Sequence, residues 1–204
     1  MRYGLLWMTL LWLCVTGVKA QDNSTQARKI LDKTAAVVGR KGGAQADFSI
    51  SSGKYDKVSG TIAIKGRKFQ AKTKDAIVWY DGKTQWAYMK NTEEVNVSQP
   101  NATQQAGMNP YTFIHLYRKG YNLSVKTAGG NYQVHLTAQN KKSGIPEMYI
   151  LINRKTYTPV QAKLLHGKQW MTVSFSNFKA RNQDDGVFVF KAKDFPNAEI
   201  IDLR

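Results

Sequence analysis

Most of the chain alternates between apolar and polar positions with the two-residue period of strands that bury one face. Three such segments follow one another between residues 44 and 74, and the next two are joined through Asp81-Gly82, a dipeptide typical of tight hairpin turns. The alternation resumes after Gly120 and continues to residues 187–190, which we expect to form the last strand. The pattern therefore predicts about ten strands in meandering antiparallel hairpins.

Two segments depart from this period and predict helices. Apolar residues recur at helical spacing over residues 22–39, where residues 22–24 offer capping side chains and Gly39 ends the last turn. A second helix is expected to begin at Asn109, with Pro110 in its first turn, and to end before Gly120. Many strands with two short helices indicate an α+β fold.

The apolar faces of so many strands exceed what about thirty helical residues can cover. A sheet of this size curls or closes, and such sheets tend to enclose ligand cavities. A filled core explains the same residues and is the simpler interpretation. Because Trp86 and Tyr88 share one strand face, we expect both to point into the interior. The residues expected to line it are Phe48, Ile50, Ile62, Ile64, Phe69, Trp79, Trp86, Tyr88, Phe113, Leu116, Met148, Ile150, Met171 and Phe175.

The first twenty residues are typical of an export signal. Arg2 precedes an apolar run over residues 5–15, and Val18 and Ala20 supply small side chains at the two positions that a signal peptidase inspects. We therefore expect residues 1–20 to be removed and residues 21–204 to form one domain outside the bacterial cytoplasm. The single cysteine, Cys14, lies in this segment. Lipidation at Cys14 is an alternative, although Leu13 is bulky where a lipobox has a small residue.

The composition favours binding over catalysis. The 204 residues carry a formal net charge of +16, which suits solubility and acidic partners. We expect Lys68, Lys72 and Lys74 to form an exposed basic stripe on the convex side of the sheet. The three histidines are scattered, no glycine-rich phosphate loop or nucleophile elbow is present, and Asp184-Asp185 precedes Gly186 as turn chemistry. From the sequence we therefore expect a protein that is not an enzyme and that has no metal site and no cofactor.

A run of residues around the central hairpin resembles a known family. The segment Trp79-Tyr80-Asp81-Gly82-Lys83-Thr84-Gln85-Trp86-Ala87-Tyr88 is similar to the periplasmic outer-membrane lipoprotein carrier proteins, LolA. Further segments match that family in the same order, and they are Ile30-Leu31-Asp32-Lys33, Ser59-Gly60-Thr61-Ile62, Glu94-Val95, Met108-Asn109-Pro110-Tyr111, Val187-Phe188-Val189-Phe190, Phe195-Pro196 and Glu199-Ile200-Ile201-Asp202. The likeness covers most of the chain after its predicted signal.

The resemblance implies an unclosed antiparallel β-barrel, or half-barrel, whose apolar concave face is lidded by short helices. It implies a monomeric chaperone that binds the acyl chains of lipoproteins on the lining residues named above. Such a carrier moves them from an inner-membrane release complex to an outer-membrane acceptor, with transient contact at membrane surfaces. The family places Lys-Arg-Pro after its early strand, whereas Lys65-Gly66-Arg67-Lys68 stands here without the proline. The residues that the resemblance assigns to the lid and to transfer are Arg67, Asn109, Pro110 and Tyr117.

Two other functions fit the same sequence. The first keeps the fold but makes the protein a binder, sensor or shuttle of another lipid or amphiphile. The second is a basic envelope protein that binds polyanions through Arg67, Lys68, Lys72 and Lys74. Nucleic-acid binders interleave exposed aromatic residues with such charges. Here the aromatic residues alternate to the opposite face, so we expect no nucleic-acid partner.

Overall fold

The computed structural model describes residues 16–53, 55–100, 116–140 and 142–204. Within these ranges one long helix, α1 (Thr16–Val38), precedes twelve strands, and two short 3₁₀ turns, Asp185–Phe188 and Ala192–Asp194, come before the last strand. The strands are β1 (Ala44–Ser52), β2 (Tyr55–Lys65), β3 (Lys68–Thr73), β4 (Ala76–Tyr80), β5 (Gln85–Met89), β6 (Glu94–Ser98), β7 (Tyr121–Ala128), β8 (Asn131–Ala138), β9 (Glu147–Asn153), β10 (Pro159–His166), β11 (Gln169–Ala180) and β12 (Glu199–Asp202).

All of these strands belong to one sheet, in the order β12-β6-β5-β4-β3-β2-β1-β11-β10-β9-β8-β7. Neighbouring strands run antiparallel, except that β12 lies parallel to β6. The two edges of the sheet are β12 and β7, so the sheet curls without closing. The predicted α+β half-barrel is confirmed, with twelve strands rather than about ten.

The two faces of the sheet differ in what covers them. On one face, Leu31 and Val38 of α1 share a buried cluster with Ile62 of β2 and Ile150 of β9. We call this side the inner face, and the opposite side the outer face. Because side chains alternate along a strand, the cross-strand pairs assign each residue to one of the two.

The helix begins earlier than the periodicity predicts. Residues 22–24 lie inside α1 rather than at its start, so their predicted capping role is wrong. The amide of Asn23 instead bonds the backbone of Val125 twice, donating from Nδ2 to the carbonyl oxygen (2.9 Å) and accepting at Oδ1 from the N–H (2.8 Å). Val125 lies on the edge strand β7, so the Asn23 side chain occupies backbone hydrogen-bonding groups that a further strand would otherwise use. The predicted end agrees, because the Gly39 N–H donates to the Ala35 carbonyl (2.8 Å).

The predicted strand at residues 187–190 is wrong. Residues Asp185–Phe188 form a 3₁₀ turn, whose start is capped by the Asp184 carboxylate accepting from the Gly186 N–H (2.7 Å). Phe188 is fully buried and Phe190 contacts Trp79 on the outer face of β4. The apolar residues of this segment therefore pack against the sheet and do not form one of its strands. Of the predicted second helix, residues 109–115 lie outside the described residues.

Candidate functional site

The inner face brings together most of the predicted lining residues. Ten of them belong to its apolar cluster, although the strands that carry them are far apart in sequence. Seven are buried and three are half-buried. The buried residues are Phe48, Ile62, Ile64, Phe69, Met148, Ile150 and Phe175, and the half-buried residues are Ile50, Leu116 and Met171.

Cross-strand pairing makes this apolar surface continuous. Phe48 of β1 lies opposite both Gly60 of β2 and Phe175 of β11. A Cβ atom on Gly60 would come within 3.1 Å of the Phe48 ring and would clash with the Lys72 carbonyl oxygen. Glycine at this position therefore lets an aromatic ring lie across β2.

Three predicted lining residues, Trp79, Trp86 and Tyr88, lie on the other side of the sheet. Tyr80 pairs with the buried Phe69, so Trp79, one residue earlier, points to the outer face. Trp86 is opposite Trp79 and shares that face with Tyr88. The expectation that Trp86 and Tyr88 point into the same interior as Phe48 is therefore wrong, and Trp79 is corrected with them. The last predicted lining residue, Phe113, lies outside the described residues.

These three side chains belong to a second apolar cluster. The Trp79 ring centroid lies 5.5 Å from those of Phe190 and Phe195, and the Tyr88 centroid lies 4.7 Å from that of Phe195. The segment after β11 thus covers the outer face of β4 and β5 before β12 joins the sheet. Sequence alternation alone does not distinguish this cluster from the inner one, because β4 carries large apolar residues on both faces.

At one end of the inner face, apolar side chains of the described residues reach solvent at a site that we call the mouth, formed by Ile50, Val58 and Met171. Val58 pairs with Ile50 and is 45% exposed. Ile50 and Met171 are half-buried and pack against the apolar cluster. The prediction omitted Val58, although the alternation with Gly60 and Ile62 already placed it on this face. An apolar ligand can therefore meet the inner face from solvent here.

A cleft of about 350 Å³ lies at the opposite end of β2, where the chain turns into β3. One wall is the last turn of α1, and the other is the two-residue turn Gly66-Arg67. Gly66 has φ +60°, the left-handed conformation that this type of hairpin turn needs at its first position. We call this site the basic cleft, and its lining residues are Asp32, Ala35, Ala36, Gly39, Gly66, Arg67 and Arg118.

A hydrogen bond orders one side of the basic cleft. The hydroxyl of the fully buried Tyr117 donates to Asp32 Oδ1 at 2.5 Å. Burial and then this bond raise the pKa of the Tyr117 phenol, and a hydrogen bond from Arg118 acts in the opposite direction. Arg67 thus lies beside a described part of the predicted lid. Asn109 and Pro110 lie outside the described residues.

The predicted basic stripe is only partly present. Lys72 and Lys74 are exposed, and Lys72 is on the outer face opposite Ile77. Lys68 is half-buried, and Asp185 Oδ1 accepts from its Nζ and from that of Lys65, both at 3.1 Å. The two lysines hold the pKa of Asp185 below its ordinary value. This ion pair attaches the C-terminal segment to β2 and β3.

The outer face also carries a polar network around the half-buried His135. Its ring stacks on Tyr149 (centroids 4.3 Å apart), and its Nε2 lies 2.9 Å from Glu147 Oε1. The Tyr149 hydroxyl donates to the same oxygen at 2.6 Å, which lowers the pKa of Glu147 and raises that of Tyr149. Across the described ranges, no three His, Cys, Asp or Glu side chains meet in a way that suits a metal ion, and no helix is long and apolar enough to cross a membrane.

Comparisons with known proteins agree with this architecture. A family model described as outer membrane lipoprotein carrier protein LolA matches residues 18–168. A comparison with curated proteins gives no match. An uncharacterized conserved protein from Thermus thermophilus has a similar solved structure, with 14% identity and a TM-score of 0.61 over 87% of this chain and 99% of that chain. At this identity the likeness concerns the fold alone.

Two other solved structures are more distant. A LolA superfamily protein from Nitrosomonas europaea is 12% identical, with a TM-score of 0.46 over 80% of this chain and 97% of that chain. A putative outer membrane lipoprotein-sorting protein domain from Vibrio parahaemolyticus is 10% identical, with a TM-score of 0.44 over 85% of this chain and 97% of that chain.

Proposed function

Because this chain belongs to the family of outer membrane lipoprotein carrier proteins, LolA, we propose that it is a periplasmic binding protein for acyl chains. Its cargo is the acylated end of lipoproteins, which it carries from the inner to the outer membrane. It works as a monomer and as a carrier rather than an enzyme, receiving cargo from an inner-membrane release complex and giving it to an outer-membrane acceptor. Residues 1–20 are its export signal, and residues 21–204 are the carrier domain.

The observation that carries this proposal is the continuous apolar inner face with its mouth. Phe48, Ile62 and Ile150 come from different parts of the chain but share one apolar surface, and Val58 brings that surface to solvent. Transferring an acyl chain from water to such a surface gains about 0.8 kcal/mol for each buried CH₂ group. Met148 and Met171 add flexible side chains that adapt to ligands of variable shape.

Loading requires that the inner face yield space, because most of its side chains are buried in this structure. We assign that movement to the predicted lid. Leu116 packs against the apolar cluster and Tyr117 bonds Asp32 of α1, so both connect the lid to the helix over the sheet. Arg67 lines the basic cleft together with Arg118 and is positioned to take part. Asn109, Pro110 and Phe113 keep their lid and lining roles as predictions from the sequence.

The first experiment asks what the protein holds. The chain with its natural signal is expressed in a Gram-negative host, purified from the periplasm and weighed by native mass spectrometry. We expect a bound acylated species in the wild type and in Ser49→Gln, which alters the outer face of β1. We expect less of it in Ile50→Gln, which places an amide at the mouth. Protein that carries no acylated species, and takes up no diacyl probe in vitro, would contradict the proposal.

The second experiment tests the carrier role. Inner-membrane vesicles loaded with a labelled triacylated lipoprotein are mixed with the protein, a release complex and ATP. We expect the label to leave the vesicles as a soluble complex with the wild type and with Ser49→Gln, and to leave more slowly with Ile50→Gln. Binding of free diacyl lipid without any release of lipoprotein favours instead a carrier or sensor of another amphiphile.

A further inference from the structure

The basic cleft combines open space with positive charge at the edge of the inner face. Ala35 and Ala36, two small residues of α1, line it, and Ala35 also packs against the apolar cluster. A Cβ atom on Gly66 would meet nothing within 4 Å, so the turn leaves the cleft unobstructed on that side. A polar group seated here can therefore remain covalently attached to chains on the apolar surface.

Two arginine residues line this space. Arg67 is exposed on the β2–β3 turn, and Arg118 is exposed directly after the buried Tyr117. The one acidic side chain of the lining, Asp32, accepts the Tyr117 hydrogen bond. The described lining therefore has one positive charge in excess. Guanidinium groups form paired hydrogen bonds with the oxygens of phosphate, and these bonds are stronger than those between neutral groups.

We propose that the basic cleft binds the phosphate group of a glycerophospholipid whose acyl chains lie along the inner face. The inference rests on the proposed binding of acyl chains, and it adds a ligand class that carries a phosphate at its head. The cleft and the mouth lie at opposite ends of β2, next to Gly66 and Val58 respectively. A phospholipid bound in this way extends along β2, with its phosphate between Arg67 and Arg118 and its chain ends toward the mouth.

A purely structural role for the two arginines makes a different prediction. Both lie at the C-terminal end of α1, where any cationic side chain interacts favourably with the helix dipole. Lysine satisfies that role as well as arginine does. It lacks the planar fork that bonds two phosphate oxygens at once, so exchanging arginine for lysine separates phosphate binding from helix stabilisation.

The test uses two probes with the same acyl chains. Full-length mature protein is titrated with fluorescent dioleoyl phosphatidylglycerol and with the matching dioleoylglycerol, which lacks the phosphate. The variants are Arg67→Gln with Arg118→Gln, and Arg67→Lys with Arg118→Lys. The control is Lys72→Gln with Lys74→Gln, which removes the same charge from exposed residues outside the cleft. Thermal unfolding of each variant verifies that it is folded.

We expect the glutamine pair to weaken phosphatidylglycerol binding about tenfold or more, with dioleoylglycerol binding unchanged, because hydrogen bonds between a guanidinium group and a phosphate are stronger than those between neutral groups. The lysine pair should lose part of that affinity, and the control pair none. If dioleoylglycerol binds normally and none of the three pairs changes the affinity for phosphatidylglycerol, the phosphate site is overturned. The proposed function then remains intact. Failure of both probes to bind the wild type overturns both. A third outcome is that the two probes bind equally, but inorganic phosphate binds the wild type and loses affinity when Arg67 and Arg118 are replaced. The cleft is then a site for free phosphate, and the lipid site is overturned.

Discussion

The Tyr117 hydroxyl donates a hydrogen bond of 2.5 Å to Asp32 Oδ1 and so joins residues 85 positions apart in the chain. Tyr117 follows the segment that the sequence assigns to a lid, and Asp32 lies on α1, which covers the inner face. The phenol ring is fully buried, and hydrogen bonds to a carboxylate are stronger than those between neutral groups, so we expect this bond to help hold the two elements together.

Replacing Tyr117 with phenylalanine should therefore loosen that connection without creating a cavity. We expect the free energy of unfolding in urea to fall by about 1–3 kcal/mol, and the exchange of a fluorescent acyl ligand to become faster. Tyr149→Phe is the matched control, since its hydroxyl also donates to a carboxylate but on the outer face. It should leave exchange unchanged. Equal effects of both variants on exchange would argue against a special role for the Tyr117–Asp32 bond.

The same bond predicts a dependence on alkaline pH. The folded protein raises the pKa of Tyr117 above the ordinary value of about 10, so the phenol binds its proton more tightly in the folded state. Its contribution to stability is then fully present below about pH 10 and is lost as the pH rises through the raised pKa. We expect the stability difference between the wild type and Tyr117→Phe to shrink over that range in urea unfolding. A difference that stays constant would show that ionisation of this phenol is not coupled to folding.

The C-terminal segment should depend on the contact of Asp185 with Lys65 and Lys68. Since the two lysines lower the pKa of Asp185, this contribution is present above its unfolded pKa of about 4 and is lost as the pH falls through the lowered value. Asp185→Asn should speed amide hydrogen exchange in β12 at neutral pH. Asp194→Asn, which removes the same charge elsewhere in the segment, should have less effect. The carboxylate is 63% exposed, so global stability should change little.

The two apolar clusters should separate stability from binding. Trp79→Ala opens a cavity in the outer cluster and should cost about 3–5 kcal/mol of unfolding free energy, with the affinity for an acyl probe unchanged in the folded protein. Phe175→Ala alters the inner face and should change both quantities. Measuring unfolding and acyl binding on each variant tests this. A loss of affinity in folded Trp79→Ala equal to that in Phe175→Ala would contradict the assignment of Trp79 to a separate cluster.

The sequence by itself determined most of the strands, the central hairpin turn and most of the lining. The alternation through Phe48, Ile62 and Ile150 follows from the pleat, which sends every second side chain to one face, and this needs no knowledge of distant contacts. In the predicted turn, the Asp81 carboxylate accepts from the Lys83 and Thr84 N–H groups, and Gly82 takes φ +105°. These are local properties, and local rules are sufficient for them.

Only the tertiary structure decided which face of β4 and β5 is the inner one. Trp79 and Tyr80 are both large and aromatic, so either could have joined the lining. The pairing of Tyr80 with Phe69 settled the choice, and that pairing depends on the register of a neighbouring strand. The placement of Asn23 against Val125, and of Arg67 beside Arg118, likewise requires elements far apart in the chain to meet. A sequence period gives the two faces of a strand, whereas the free energy of packing against distant segments determines which face is covered and by what.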